Sequence, residues 1–178
     1  MKTISETSEM LSNEHNIILK VVDALEHEIG EIRNKDIDTT FFKKVIDFIR
    51  NYADKFHHAK EEDILFKEFS KCAEEGGVHC NPVEQMLFEH DVGRKYVKMM
   101  EAGLNDRNKS KLIEGANGYI ELIREHIFKE DNILYPMADE ALNKEVKKTM
   151  LEKFKKIRST RKKEAEGFEK FAKEVAKR

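Results

Sequence analysis

The sequence predicts an all-α protein, an up-and-down antiparallel four-helix bundle with an extra C-terminal helix. Three observations predict it. Apolar residues recur at spacings of three and four along almost the whole chain and nowhere alternate with period two for long. Charged residues make up 38% and apolar residues 39% of the 178 positions, which is the balance of exposed amphipathic helices. Only 2 Pro and 8 Gly punctuate the chain, too few for a turn-rich β-sandwich or a collagenous sequence.

Helix one is predicted from about Ser5 to Ile32, with Leu11, His15, Ile18, Leu19, Val22 and Leu25 on one stripe. Helix two starts at Asp38, a good N-cap, and runs to about Cys72 with Ile46, Ile49, Ala53, Phe56, Ile64 and Leu65 facing inward. After the Gly76-Gly77 break, Asn81-Pro82-Val83-Glu84 reads as cap, first helical residue and capping box of helix three, which ends near Leu104. Helix four carries Leu112, Tyr119, Leu122, Ile123, His126 and Ile133 and ends at Pro136. A fifth helix bears Met150, Phe154, Ile157, Phe168, Phe171 and Val175, interrupted by Arg161 and Glu164. Residues 1–142 therefore read as the bundle. Residues 143–178 read as a basic amphipathic helix that packs on it or forms a homodimer contact.

Charge is unevenly spread along this plan. Residues 143–178 hold 14 Lys/Arg against 6 Glu, a net of +8, which leaves −10 on residues 1–142 out of the total of −2. Acidic residues interleave with the basic ones, so the last helix reads as a solvated face rather than a nucleic-acid patch. The longest apolar runs are a few residues, far below the ~20 that span a bilayer. Glu6 and Glu9 fall where a signal peptide would be apolar, and Cys72 and Cys80 form neither a disulfide framework nor a Cys-x-x-Cys motif. A soluble, cytoplasmic protein without a membrane partner is the expectation.

Chemistry enters through an internal duplication. His57-His58-Ala59-Lys60-Glu61-Glu62-Asp63-Ile64-Leu65-Phe66 matches His126-Ile127-Phe128-Lys129-Glu130-Asp131-Asn132-Ile133-Leu134-Tyr135, and Glu14-His15-Asn16 matches Glu89-His90-Asp91. Residues four apart on a helix share a face, so His57 with Glu61 and His126 with Glu130 are aimed as pairs. At 100° per residue His15, His57, His90 and His126 fall on apolar stripes, whereas His58 and His27 fall on polar faces and His79 in a loop. Burying two carboxylates costs several kcal/mol each unless a cation or partner compensates. Four imidazoles beside them make metal the simplest compensation. Six N/O ligands without a thiolate exceed one tetrahedral zinc and suit two ions, each with two His, sharing two bridging Glu. Zinc or manganese can occupy such donors, but iron fits best. Ferritin-like sites need Glu-x-x-His, and the residues three before the four histidines are Ser12, Asp54, Leu87 and Ile123.

His15, His57-x-x-x-Glu61, His90 and His126-x-x-x-Glu130, in that order on four successive helices, resemble the hemerythrin-like HHE cation-binding family over residues 5 to 140. Glu89-His90-Asp91-Val92-Gly93-Arg94-Lys95-Tyr96-Val97 resembles a segment common in its bacterial and archaeal members. The resemblance implies a bridged non-haem di-iron centre, with His15 and His57 on one iron, His90 and His126 on the other, and Glu61 and Glu130 bridging. Met86 stands where oxygen carriers have a fifth His, so the ligand set is closer to the four-His, two-Glu branch that responds to nitric oxide and repairs iron-sulfur centres. The expected function is to bind or react with oxygen, nitric oxide or peroxide, with a redox partner the sequence does not name. Reversible oxygen or iron storage is the alternative. Tyr119, Met86 and Gly93 lie near the ligands on the same faces, although ordinary core packing accounts for all three.

Overall fold

A computed structural model describes residues 4–32 and 35–177. Six helices follow in chain order. Helix α1 is Glu6–Glu31, capped by Ser5, whose hydroxyl accepts from the Ser8 N–H. Helix α2 spans 39–74 as one rod built from Thr39–Phe48, Ile49–His58, Glu61–Leu65 and Phe66–Glu74, and Asp38 caps it by accepting from the Phe41 N–H at 2.9 Å. Helix α3 is Val83–Asn105. Helix α4 spans 109–141, as Lys109–Lys129, Glu130–Leu134 and Tyr135–Ala141. Helices α5, Lys144–Thr160, and α6, Lys162–Val175, complete the chain. Among the described residues no helix is long and apolar enough to cross a membrane.

Three boundaries differ from the sequence expectation. Helix α3 begins at Val83, with Pro82 in the cap position and the Asn81 side chain accepting from the Val83 N–H at 3.1 Å. Pro136 does not end α4, because it sits in the first turn after a widened segment, where a missing N–H costs nothing. The C-terminal stretch is two helices, broken at Arg161 (φ −103°, ψ 20°).

Helix α2 lies against α1 and α3, α3 along α4, and α4 back along α1, which closes the bundle. The α3–α4 contact is the tightest. A Cβ at Gly103 would come within 2.5 Å of the Leu112 nitrogen and one at Gly115 within 2.8 Å of the Met100 nitrogen, so glycine there lets the two backbones touch. Helices α5 and α6 fold back on the bundle. Met150 and Phe154 join one apolar cluster, and Ala165, Ala172 and Val175 the other.

Those two clusters are separate along the bundle axis. One contains Ile18, Phe56, Val97 and Ile123, the other Leu11, Ile64, Met86 and Leu134. Each bundle helix contributes to both, and each carries a buried histidine where one contribution gives way to the other. A polar layer therefore crosses the core.

Candidate metal centre

The layer holds His15, His57, Glu61, His90, His126 and Glu130, each at most 2% exposed. All six residues singled out from the sequence are thus brought together. His27 and His79 are exposed, as expected.

Two groups form within the layer. His15, His57, Glu61 and Glu130 offer one ligand atom each, all mutually within 4.8 Å, and His58, His90 and His126 do the same. The glutamates lie between the groups. Glu61 Oε2 is 3.6 Å from both His57 Nε2 and His90 Nε2. Glu130 Oε2 is 3.2 Å from His15 Nε2, while its Oε1 is 3.2 Å from His126 Nε2. His90 Nε2 and His126 Nε2 are 3.0 Å apart. Two ligands at ~2.1 Å from one ion, at roughly a right angle, would be separated by about that distance.

His58 is the residue the sequence reading misplaced. Uniform helical spacing predicts a solvent-facing His58, yet it is 6% exposed and stacks on His90 with ring centroids 3.8 Å apart. The reason is local backbone geometry. The Ala59 N–H donates to the Asp54 carbonyl, five residues back, so the turn is wider than the α-helical one. Residues five apart then share a face, and His58 follows Ala53, which is 0% exposed, into the core. The same i→i+5 bond closes after both motifs, from Phe66 N–H to Glu61 and from Tyr135 N–H to Glu130. The duplication therefore repeats a backbone distortion as well as residues.

A ring of outer carboxylates aims the imidazoles. The Nδ1 of His57 meets Glu14 at 2.9 Å, that of His90 meets Glu62 at 2.7 Å, that of His126 meets Glu89 at 2.8 Å, and that of His15 meets Asp131 at 3.0 Å. Each helix thus orients a ligand on the next, from α1 round to α4 and back. Every one of these carboxylates is the chain neighbour of an inner residue. Holding Nδ1–H in this way leaves each Nε2 lone pair facing the centre, the arrangement of metal-ligating histidines. The shared lysines of the motif complete it, Lys60 pairing with Glu14 and Lys129 with Glu89. Lys60 is fully buried and also lies over the Phe56 ring at 3.8 Å.

The electrostatics of the layer show what it is suited to hold. Burial opposes charge on His15 and His126, but Asp131 and Glu130 hold the first up at about 9, and Glu130 and Glu89 hold the second up at about 10. Burial, reinforced by the charge of Glu130, pushes the Glu61 carboxyl well above the usual range. Burial also opposes ionisation of Glu130, yet His126 and His15 keep its carboxyl well below that range. Burial and neighbouring imidazoles hold His57 low and His58 down at about 3. Both therefore present neutral imidazoles. His57 Nε2, Glu61 Oε2 and both Glu130 oxygens are buried without a hydrogen-bond partner. Buried polar atoms this close and unsatisfied are what a bound cation would satisfy. The residues fit a metal.

Other expectations resolve simply. Met86 packs with Phe66, Phe69 and Leu134 as core. Tyr119 and Gly93 border a cavity of about 370 Å³ that reaches His58, His90 and His126. Arg94 ties Asp54, Glu62 and Asp91 together, and Arg50 grips Glu101 with two bonds of 2.5 and 2.6 Å. Sequence reading gave no role to Tyr135, whose hydroxyl donates to Glu61 at 2.5 Å beside the first group.

Fold and site together define a helical-bundle protein with buried His/Glu clusters suited to metal ions. The profile of the Hemerythrin HHE cation binding domain matches residues 6–138. The chain belongs to that family. No curated protein and no solved structure matches it.

Proposed function

We propose that the chain holds a bridged di-iron centre and uses it to bind or react with oxygen, nitric oxide or peroxide, in stress response, sensing or iron-centre repair. The placement of Glu61 and Glu130 between two histidine groups carries this reading. His15 and His57 would hold one ion, and His90 and His126 the other. His58 adds a third imidazole to the second group, so a fifth histidine is supplied although position 86 is methionine. An all-N/O donor set suits iron, and zinc or manganese accept the same donors. When bound, iron supplies a Lewis-acidic, redox-active centre to which a small molecule can be presented.

The chain's own residues determine how that molecule arrives. Tyr135 stacks beside His15 at 5.6 Å and donates to Glu61, filling the space at the first group. The second group borders the cavity, so approach is from the His58, His90 and His126 side. The outer carboxylates keep the imidazoles oriented while the apolar clusters above and below exclude water. Adding nitric oxide or peroxide to reduced, iron-loaded protein tests the reading. Repeated cycles of spectral change support turnover and a single stoichiometric change supports reversible storage. No change contradicts both.

A further inference from the structure

The cavity beside the second histidine group is far larger than a diatomic requires. It encloses about 370 Å³, whereas a water molecule occupies ~30 Å³ of the liquid. That is the size of a pocket for an organic ligand. Its wall is apolar along Ile49, Val97, Leu122 and Ile123. Gly93 lies on this wall, and a Cβ there would make ordinary contacts with Leu122 Cδ2 at 3.5 Å and Tyr119 Cε2 at 3.8 Å, taking up part of the space.

Among the polar groups lining it, one buried hydroxyl and two exposed lysine ammonium groups have no hydrogen-bond or ion-pair partner among the described residues. Tyr119 is 2% exposed and its hydroxyl is buried without a hydrogen-bond partner. A buried donor left unpaired is unfavourable and is satisfied once a ligand brings an acceptor. The exposed lining residues are Lys55 and Lys98, which mark the mouth. The lining carboxylates are already answered, Asp54 by Arg94, and Glu89 by Lys129 and His126. Arg50 is in turn neutralised by Glu101. Glu164 lies near Lys55 but is already paired with Arg161, so the two lysines leave the mouth positive.

We propose that this cavity binds an oxygen-substituted aliphatic carboxylate, with its carboxylate at Lys55 and Lys98, its chain along the apolar wall, and its second oxygen accepting from the Tyr119 hydroxyl. This names a ligand class for the proposed metal centre and rests on that reading for its chemistry. The cavity, hydroxyl and lysines themselves do not depend on an ion.

Calorimetric titration of the full chain, with metal content measured on the same sample, tests it with three probes: 8-hydroxyoctanoate, octanoate and octan-1-ol. 8-Hydroxyoctanoate should bind about three- to tenfold more tightly than octanoate, the worth of one hydrogen bond, and Tyr119→Phe should erase that advantage. Octan-1-ol should bind more weakly than either carboxylate, and the double variant Lys55→Ala/Lys98→Ala should weaken the carboxylates alone. Equal binding of the three probes, no saturable binding, or an advantage that survives Tyr119→Phe would overturn the proposal. Protein that takes up no iron when iron is supplied, yet still discriminates among the probes, would defeat the metal reading and keep this one. Iron-loaded protein that ignores them would do the reverse.

Discussion

Glu14 and His57, 43 residues apart, meet at 2.9 Å in the core, the carboxylate of α1 accepting from the Nδ1–H of a ligand on α2. The contact recurs at Glu89 and His126, so the orienting carboxylates share the pseudo-symmetry of the inner residues. Each Glu-His pair on α1 and α3 thereby does two things, one residue facing the centre and its neighbour orienting the histidine of the following helix.

Removing an orienting group should weaken metal without unfolding the chain. Asp131 holds His15 from a position that is 31% exposed, so Asp131→Ala is predicted to lower metal affinity about 10- to 100-fold. Competition with a chelator of known affinity reads this directly.

Inner and outer histidines should separate cleanly. Glu61→Ala and Glu130→Ala are predicted to lose bound metal, and His27→Ala, at an exposed position, to retain it. His58→Ala should weaken one ion more than the other, because His58 belongs only to the group with His90 and His126. Metal analysis of the purified variants distinguishes these results.

Protons and metal compete for the same lone pairs. His15 and His126 are held up at about 9 and about 10 in the ion-free core, above ~6.5 for the unfolded chain. A raised folded-state value means that the folded state binds more protons. The stability these two groups give metal-free protein is therefore full below pH ~6.5 and lost as pH rises through 9 to 10. Metal needs both imidazoles deprotonated, so its affinity should instead rise over that window. Thermal unfolding between pH 6 and 10 should show metal-free protein losing stability as pH rises, and metal-loaded protein changing little above pH ~7, where neither its folded nor its unfolded state carries those protons.

The docking of α5 should be a measurable part of stability. Phe154 is 0% exposed in the cluster that also contains Phe69 and Tyr135. Phe154→Ala is predicted to cost about 3–5 kcal/mol of unfolding free energy, in the range for a buried aromatic truncated to alanine. Denaturant unfolding measures it, and a change below ~1 kcal/mol would mean the helix contributes little to the core.

Much of this was legible in the sequence because helical periodicity and duplication reinforce each other. Leu11 and Ile18 flank His15, and Ile123 precedes His126, so these inward faces followed from spacing. Ile133, expected on the same stripe, is 48% exposed and Leu134 is buried instead, in the widened turn at 130–134. His58 was not legible. The reading assumed 100° per residue, and the widened turn at 49–58 brings a second consecutive histidine inward. The break at Arg161 was visible only as an interrupted stripe. The orienting role of Glu14, Glu62, Glu89 and Asp131 was present as repeated letters, but no periodicity shows that a residue beside a ligand reaches across to another helix. Its signal was that Lys60 and Lys129 recur with them.

The most direct test of a bridged di-iron centre is metal content together with the aerobic absorption spectrum of protein purified from iron-replete cells. Two irons per chain, with near-ultraviolet bands of a bridged ferric pair, are predicted. No metal, or a single zinc per chain, would contradict the account.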